Sequence, residues 1–430
     1  MKALIVASTR PEVIKLAPLM WELERKGIDY IFATTGQPYD RAHFRSFVEE
    51  LELRGPDLDI RIGSGSQAEQ TSRAMVGLET LMKKEEPSVV IAEGDTNSVL
   101  STALAAVKLH LPFAHVEAGL RSYDMRMPEE INRIVADHCS RVLFAPTEGS
   151  ALNLVGEGIP PERVHIVGNT VVEATLRGMR KAGERSVKRY PKGYLLLTLH
   201  RAENVDALEP LRGILEALLE LDAEVVFPVH PRTRERLERF RLVKMLEKGK
   251  ITLIPPVGYL DFLSLLKNAR AALTDSGGVQ EEAITLHVPC ITLRTTTERP
   301  ESVTAGGNVL AGVKKGGIVK TLRSVLGDKG LYRRMRRAKN PFGDGKSGRR
   351  IVETLLQLHE DGGLEYIPPD FTRDLPRREF LTVDGGMDGK LIRELGMRVM
   401  RVIDGGRERF PRPGMRLRKG QILEVLRLGD

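Results

Sequence analysis

The chain has 430 residues, a formal net charge of +8 and a pI of about 9.4. This length is enough for two or three domains with their own hydrophobic cores. The basic balance would suit a polyanionic partner, but the densest basic run, Lys329 to Arg337, is typical of a solvated helix face, so we expect no nucleic-acid partner. The only two cysteines, Cys139 and Cys290, exclude a disulfide framework and a thiolate metal cluster, and they fit a reducing compartment.

The longest apolar runs are short. The run from Ala3 to Ala7 is too short for the core of a signal peptide, and no segment approaches the roughly 20 apolar residues that span a bilayer. We therefore expect a cytoplasmic protein with no membrane partner.

Apolar, β-branched runs alternate with helical patterns through the first part of the chain. Continuous apolarity with helices between the runs favours a parallel sheet that is covered on both faces. The predicted strands of this part are Leu4 to Ala7, Tyr30 to Thr34, Val89 to Ala92, Phe113 to Val116 and Val142 to Ala145.

Polar loops follow these strands, and in parallel sheets ligands bind beyond the carboxyl ends of the strands. The first strand is followed by a loop with Arg10 and a helix that carries Lys15. The later strands are followed by loops that contain Asp95 and Glu117. The sequence therefore predicts a polar site at one edge of the sheet.

Several common sites are excluded by missing motifs. No Gly-x-Gly-x-x-Gly follows the first strand, and no Walker-type phosphate loop occurs, which argues against a dinucleotide cofactor and against a P-loop NTPase. His115, His138 and His200 lack the spacing of paired metal ligands, so we expect neither a metal nor a cofactor.

A second α/β unit is predicted to begin near Gly168. Its predicted strands are Tyr194 to Leu199, Val225 to Val229, Ile251 to Ile254, Ala271 to Thr274 and Cys290 to Leu293. The segment Asp275 to Glu282 reads as a tight turn and a helix start after the fourth of these strands. Backbone N–H groups at such a helix start, with two glycines that admit a close approach, favour binding of a phosphate.

The remainder of the chain changes character. A helix from Arg349 to His359 closes the second unit and is expected to cross back onto the first, and Pro368-Pro369 indicates a linker. Arg412 to Leu428 reads as small strands of a compact β module. We therefore divide the chain into residues 1–168, residues 169–360 and an Arg-rich extension, 361–430, for which a stabilising or oligomerising role is favoured over a catalytic one.

Seven motifs together resemble the non-hydrolysing UDP-N-acetylglucosamine 2-epimerase family, over about residues 2 to 358. The motifs are Ser8-Thr9-Arg10-Pro11-Glu12 with Lys15, Glu93-Gly94-Asp95-Thr96, His115-Val116-Glu117-Ala118-Gly119-Leu120-Arg121, Pro128-Glu129-Glu130 with Asn132-Arg133, His200-Arg201 with Glu203-Asn204, Asp275-Ser276-Gly277-Gly278 with Gln280-Glu281-Glu282, and Thr297-Glu298-Arg299-Pro300-Glu301. The resemblance implies a GT-B fold, in which two Rossmann-like parallel-sheet domains face a cleft. It also implies a homodimer, a UDP-sugar substrate and a place in polysaccharide biosynthesis.

The resemblance implies a role for each matching residue. The acid–base residues would be Asp95, Glu117 and Glu129, with His200 among the catalytic residues. UDP-sugar binding would fall to Arg10, Lys15, Arg133, Phe262, Ser276, Gly277, Gly278, Glu282 and Arg299. The implied reaction is elimination of UDP to 2-acetamidoglucal, followed by its return with the opposite configuration at C2.

Two departures from the family's residues bear on regulation, and four alternative functions remain open. Gln37-Pro38 and Ala202 stand where bacterial members of the family have other residues, which leaves allosteric activation by the substrate open. The alternatives are a hydrolysing 2-epimerase, a 2-epimerase of a UDP-diacetamido-uronic acid, a GT-B glycosyltransferase and a non-enzymatic UDP-sugar sensor.

Overall fold

The computed structural model describes residues 1–36, 47–183, 190, 193–221, 223–246, 249–365 and 377–427. The segments Gln37-Pro38 and Pro368-Pro369 lie outside these residues. The chain forms two compact units. Unit 1 contains the described residues of Met1–Arg41, Gly55–Asn169 and Gly348–Asp430, and unit 2 those of Ala42–Arg54 and Thr170–Ser347.

The strands and helices follow one another along the chain in an alternating order. The strands are β1 (Ala3–Ala7), β2 (Tyr30–Thr34), β3 (Leu58–Asp59), β4 (Val89–Glu93), β5 (Phe113–Val116), β6 (Val142–Ala145), β7 (Val164–Ile166), β8 (Leu195–Thr198), β9 (Val225–Pro228), β10 (Ile251–Ile254), β11 (Ala271–Thr274), β12 (Cys290–Thr292), β13 (Asn308–Leu310), β14 (Arg377–Thr382), β15 (Arg398–Asp404), β16 (Arg407–Arg409) and β17 (Ile422–Arg427). The α-helices are α1 (Arg10–Arg25), α2 (Gln67–Glu85), α3 (Asn97–Lys108), α4 (Pro128–Cys139), α5 (Glu148–Gly156), α6 (Thr170–Ala182), α7 (Ala202–Val205), α8 (Leu208–Glu220), α9 (Pro231–Arg239), α10 (Val243–Leu246), α11 (Tyr259–Asn268), α12 (Gly277–Thr285), α13 (Pro300–Thr304), α14 (Lys315–Gly327), α15 (Lys329–Arg336) and α16 (Ser347–Glu360). Short 3₁₀ turns occupy Pro161–Arg163 and Ile392–Glu394.

Unit 1 contains a seven-stranded parallel sheet in the order β3-β2-β1-β4-β5-β6-β7. Every residue of β1, β2, β4, β5 and β6 is buried, as expected for strands covered by helices on both faces. The predicted parallel sheet is therefore confirmed. β1 has β2 on one side and β4 on the other, so the order of the strands reverses between β1 and β4. In parallel α/β sheets, ligands bind beside such a reversal.

Unit 2 repeats this plan with a six-stranded parallel sheet in the order β10-β9-β8-β11-β12-β13. The order reverses between β8 and β11. The predicted pair of α/β units is confirmed, and the helix predicted over Lys329 to Arg337 is α15.

Helix α16 packs within unit 1 through its first turn. A Cβ on Gly348 would lie 2.4 Å from the carbonyl oxygen of Pro18, so only glycine permits this approach to α1. The guanidinium of Arg350 donates to the carbonyl oxygen of Val167 at 3.1 Å.

A small antiparallel sheet with the order β14-β17-β15-β16 also belongs to unit 1. Of the small strands predicted over Arg412 to Leu428, only β17 falls in that range; the other three precede it. One face of this sheet builds its own core, with Val399, Val402, Leu423 and Val425 among its members. Met400 and Phe410 join a different cluster, made mostly by residues of β6 and α5. The small sheet is thus an integral part of the unit 1 core.

No helix within the described ranges is both long and apolar enough to cross a bilayer.

Candidate active site

The predicted site residues of unit 1 follow β1, β4 and β5, which are neighbours in the sheet. Arg10 and Lys15 lie on α1, just after β1, and Arg10 is half-buried. Asp95 follows β4, and Glu117 follows β5 directly. The expectation that polar loops share one sheet edge is met here, because parallel neighbours end on the same side.

Lys15 and Glu117 form the most enclosed ion pair among the predicted residues. The Lys15 Nζ lies 2.7 Å and 2.6 Å from the two carboxylate oxygens of Glu117, and 2.8 Å from an oxygen of Glu93. Asn169 donates its side-chain amide to Glu117 at 2.8 Å. Glu117 is 7 % exposed and Glu93 1 % exposed, so one ammonium group is shared by two buried carboxyl groups.

Burial of this cluster shifts the pKa of Glu93. It raises the pKa of Glu93 well above the ordinary value, since Lys15 lowers that pKa only in part and Glu117 raises it further. Sequence analysis assigned no role to Glu93 or Asn169, although Glu93 lies in one of the motifs. The sequence signal that could have identified Glu93 is its position as the last residue of an otherwise apolar strand.

The backbone at Glu117 adopts an unusual conformation. Its φ is +67°, in the left-handed region that non-glycine residues rarely occupy. Gly119, two residues on, also has a positive φ, of +82°, and a Cβ there would lie 2.2 Å from the carbonyl oxygen of Ser150. Such conformations persist only where the surroundings enforce them, and they occur often at functional sites.

Asp95 forms an ion pair with Arg133. Arg133 also donates to Glu130 at 2.7 Å. Glu130 is fully buried and accepts from the backbone N–H groups of Ser122 and Tyr123. The Asp95 side chain stays about one-third exposed (30 %) and is therefore accessible to a ligand.

Glu129 differs from the other predicted carboxylates. It is exposed in the first turn of α4. Within the described residues, its side chain forms no hydrogen bond or ion pair with another predicted site residue. Its neighbour Glu130 provides the buried carboxylate of this motif. The structure thus brings Lys15 to Glu117 and Arg133 to Asp95, but it brings neither pair to Glu129.

Glu12 is a further buried acid that sequence analysis did not assign. Its carboxylate accepts from the backbone N–H groups of Ser8 and Thr9 and from the hydroxyl of Thr96. Burial raises the pKa of Glu12, and these hydrogen bonds oppose the rise. Because Thr96 follows Asp95 directly, Glu12 ties the loop after β1 to the loop after β4.

In unit 2 the residues predicted around the phosphate turn lie at the reversal between β8 and β11. The Asp275 carboxylate is buried and accepts from the backbone N–H groups of His200 and Arg201 and from the Asn204 side chain. The His200 Nδ1 lies 3.0 Å from Asp275, while nearly half of its side chain (46 %) is exposed. Burial raises the pKa of Asp275, but the contacts with His200, Arg201 and Asn204 outweigh it and hold that pKa below its usual value.

Ser276, Gly277 and Gly278 form the N-terminus of α12, as predicted. A Cβ on Gly277 would lie 3.2 Å from the Arg299 Cζ, so this glycine allows the guanidinium to approach the helix start. A Cβ on Gly278 would meet no described atom within 4 Å. Arg299 is buried and its Nε donates to Glu281 at 2.9 Å. The start of α12 therefore presents backbone N–H groups, has the Arg299 guanidinium beside it and leaves open space next to Gly278.

The predicted residues Glu282 and Phe262 lie on two different helices of unit 2. Glu282 is buried on α12, beside the phenol of Tyr259 on α11. Burial, together with Glu282, raises the pKa of Tyr259 well above its ordinary value. Phe262 is half-buried on α11, one turn after Tyr259. Sequence analysis missed Tyr259, whose neighbouring aromatic residue was assigned instead.

No group of three or more His, Cys, Asp or Glu side chains in the described part of the chain is arranged to hold a metal ion.

Comparison with known families decides the relationship. A family profile described as UDP-N-acetylglucosamine 2-epimerase matches residues 22–356. The chain belongs to this family. A UDP-N-acetylglucosamine 2-epimerase of Methanocaldococcus jannaschii is 48% identical over 367 residues, which cover 83% of this chain and 99% of the relative.

Solved structures of the epimerase family agree with this assignment. The crystal structure of the Methanocaldococcus jannaschii UDP-GlcNAc 2-epimerase in complex with UDP-GlcNAc and UDP matches with a TM-score of 0.77, covering 83% of this chain and 100% of that one. Among the sequence relatives, a UDP-2,3-diacetamido-2,3-dideoxy-D-glucuronate 2-epimerase of Pseudomonas aeruginosa is 40% identical over 364 residues, which cover 83% of this chain and 100% of the relative. The two parallel sheets of the GT-B-like epimerases are thus confirmed here. The small antiparallel sheet, β14 to β17, lies beyond the matched residues.

Proposed function

We propose that this chain catalyses the reversible epimerisation of UDP-N-acetylglucosamine to UDP-N-acetylmannosamine at C2. The observation that carries the proposal is the buried Glu117 carboxylate, which Lys15 and Asn169 hold at the strand-order reversal of unit 1. Full-length similarity to an epimerase of this name supports the choice of substrate.

The chemistry explains why buried carboxylates are needed. The C2 hydrogen of the sugar is not next to a carbonyl group, so it is not acidic enough for simple deprotonation. When the C1–O bond to UDP breaks, positive charge develops at C1, the C2–H bond weakens, and a base takes the proton as the C1=C2 bond forms. The products are UDP and 2-acetamidoglucal. Return of a proton to the opposite face of C2, with return of UDP to C1, gives the manno epimer.

Two carboxyl groups in different protonation states suit this reaction, because one must accept a proton and another must donate one. We assign Asp95, Glu117 and Glu129 to acid–base work and place His200 with them. The raised pKa of Glu93 beside Glu117 is consistent with such a division, because neighbouring carboxyl groups in a buried site raise one another's pKa values.

UDP binding is assigned to unit 2. The N-terminus of α12, at Ser276 to Gly278, would hold the diphosphate with backbone N–H groups and the helix dipole, and Arg299 would add its charge. Glu282 would accept hydrogen bonds from the ribose hydroxyls, and Phe262 would flank the uracil. Arg10, Lys15 and Arg133 would contact the diphosphate or the sugar.

The same assignment gives each part of the chain its own role. Residues 1–168 carry the carboxylates, residues 169–360 hold UDP, and residues 361–430 carry no catalytic group. We further propose that the chain acts as a homodimer in the cytoplasm and supplies N-acetylmannosamine units for a polysaccharide.

A UDP-diacetamido-uronic acid is the competing substrate, because the 2-epimerase of that nucleotide from Pseudomonas aeruginosa is 40% identical over its whole length. A hydrolysing epimerase would instead release UDP and the free sugar, and a glycosyltransferase or a sensor would leave the C2 hydrogen in place.

One experiment separates these functions. The protein is incubated in heavy water with UDP-N-acetylglucosamine and, separately, with the diacetamido uronic acid nucleotide, and the products are analysed by NMR. We expect UDP-N-acetylmannosamine that carries deuterium at C2. Free N-acetylmannosamine, turnover of the uronic acid nucleotide alone, or no incorporation of deuterium would each contradict the proposal.

A further inference from the structure

His115 and Asp137 form a buried pair behind the loops that carry Asp95 and Glu117. Both side chains are fully buried. The His115 Nδ1 lies 2.6 Å from an oxygen of Asp137, and its Nε2 lies 2.8 Å from the carbonyl oxygen of Gly94. The imidazole therefore connects α4 to the loop after β4.

Asp137 extends the same network to the loop after β5. Its second oxygen accepts from the backbone N–H of Gly119 at 3.2 Å and from the Arg121 guanidinium at 2.7 Å. Gly94 immediately precedes Asp95, and Gly119 lies two residues after Glu117. One histidine–aspartate pair thus holds the backbone next to both predicted carboxylates.

The hydrogen-bond partners define where the protons are. A carbonyl oxygen can only accept, so the Nε2 of His115 must carry a hydrogen. The Asp137 carboxylate accepts from the Gly119 N–H and from the Arg121 guanidinium, and the cation beside it favours the ionised form, so its other oxygen accepts as well. Both contacts are satisfied only when both ring nitrogens of His115 are protonated.

The loop after β5 needs such support because its backbone is strained at Glu117, which is not a glycine and has a positive φ. Gly94, Glu117 and Gly119 have φ angles of +90°, +67° and +82°. For the non-glycine residue this conformation is unfavourable, and it persists only when neighbouring contacts enforce it. A fixed anion at the Gly119 N–H and a fixed donor at the Gly94 carbonyl are contacts of this kind.

We propose that His115 and Asp137 are positioning residues, which hold the Gly94–Asp95 and Glu117–Gly119 backbone in the arrangement that proton transfer at C2 requires. The proposal rests on the proposed function, since it gives the pair a role in that reaction. Neither side chain touches the substrate; both act through the loops. A purely structural pair would instead affect stability and leave the rate of the chemical step unchanged.

The test compares His115→Gln with a matched control, His165→Gln. His165 lies on β7 in the same unit, two strands from β5 in the sheet; it is half-buried, and its ring centroid is 5.9 Å from that of Phe144. We measure kcat and KM for epimerisation, the Kd for UDP by calorimetry, and the melting temperature. UDP binding reports on unit 2 and should not depend on the pair.

We expect His115→Gln to lower kcat about 100-fold, the loss that a misplacement of about 1 Å produces, with KM and the UDP Kd within about twofold of wild type. Asp137→Asn should give the same pattern, and His165→Gln should leave kcat unchanged. A His115→Gln protein that retains wild-type kcat would overturn the proposal. Failure of both His115→Gln and His115→Asn to fold, while His165→Gln folds, would equally overturn it, because the pair would then be a general core element.

A second measurement does not depend on turnover. In ¹⁵N-histidine-labelled wild-type protein, the resonances absent from the folded His115 variant identify this ring, and we expect both of its nitrogens to carry a proton. A singly protonated ring would contradict the network, whatever the activity. If the wild-type protein epimerises neither nucleotide, the proposed function fails on its own assay, whereas this spectrum still decides whether the network exists.

Discussion

The two units build their candidate sites on the same kind of sheet edge with opposite chemistry. Unit 1 surrounds one ammonium group, that of Lys15, with the carboxyl groups of Glu93 and Glu117. Unit 2 offers the start of α12 and the guanidinium of Arg299, while its buried Asp275 is fully engaged with the loop after β8.

This difference separates two functions that one surface performs poorly. An anion such as a diphosphate is stabilised by N–H groups and cations, whereas abstraction of a proton needs carboxylates, and in unit 1 two carboxyl groups share a single ammonium group. A fold with two parallel sheets provides two strand-order reversals, so each function has its own edge. We therefore predict that changes to the carboxylates of unit 1 alter the chemical step and that changes at the start of α12 in unit 2 alter UDP affinity.

The largest expected effect follows from removing the charge of Glu117. In Glu117→Gln the side chain keeps its shape but cannot accept the C2 proton, so we expect kcat to fall about 10³-fold, within the usual range for loss of a general base. Asp95→Asn should fall by a comparable factor. UDP affinity, measured by calorimetry, should remain at the wild-type value for both. A selective loss of UDP binding would contradict the division of roles between the units.

A smaller effect is expected from the phosphate turn, where two adjacent glycines form a matched pair. Gly277→Ala places a methyl group 3.2 Å from Arg299, so the guanidinium must shift. Gly278→Ala meets no described atom within 4 Å and can act only on a bound ligand. We expect both to weaken UDP binding about tenfold, as loss of one hydrogen bond to a charged group would.

The melting temperatures of the unliganded variants distinguish the two causes. Gly277→Ala should melt below wild type because Arg299 is displaced, whereas Gly278→Ala should melt at or slightly above it, since alanine favours a helix. Unchanged UDP affinity in Gly278→Ala would place the diphosphate elsewhere.

The third prediction concerns Glu93 and the pH dependence of stability. Its pKa in the folded state is raised, so between the ordinary glutamate value and the raised value the folded protein binds more protons than the unfolded one. Stability therefore falls as pH rises through this window. Glu93→Gln cannot titrate and should lose this fall.

The measurement is denaturant unfolding of wild type and Glu93→Gln at pH 5 and pH 8. The free energy of unfolding of the variant, relative to wild type, should increase between the two pH values. The control is Glu22→Gln on α1, because Arg25 lowers the pKa of Glu22 through a hydrogen bond, so this carboxyl titrates below pH 5 and its removal should change stability equally at the two pH values. A relative stability that is equal at both pH values would show that Glu93 is ionised throughout.

The strands could be predicted because their burial on both faces leaves a continuous apolar run in the sequence. The strands of the two parallel sheets that were missed, β3, β7 and β13, have only two or three residues each and are not fully buried, whereas the equally short β12 is buried throughout. The strands of the small antiparallel sheet were predicted too far towards the C-terminus. The segments around Gly414 and Gly420 resemble strands in sequence, whereas β15, which does form a strand, carries two arginines.

The site was harder to predict than the fold because adjacent residues on a helix point in different directions. Glu129 and Glu130 look equivalent in sequence, because each lies at helical spacing from Arg133. Only the contacts of Glu130 with the Ser122 and Tyr123 backbone show which of the two is buried. Glu93, Glu12 and Asn169 become relevant through contacts with distant segments, which no local pattern records.

The smallest expected effect on catalysis comes from the small antiparallel sheet. Phe410 is 5% exposed and packs in the cluster formed mostly by β6 and α5, whereas Phe380 on β14 is 63% exposed. Phe410→Ala should therefore lower the free energy of unfolding by about 3 kcal/mol, the usual cost of truncating a buried phenylalanine, whereas Phe380→Ala should change it by less than about 0.5 kcal/mol. Both variants should keep wild-type kcat, because this cluster supports the sheet and provides no reacting group. A fall in kcat for Phe410→Ala without loss of stability would give the sheet a direct part in catalysis, since Ala118, which follows Glu117, belongs to the same cluster.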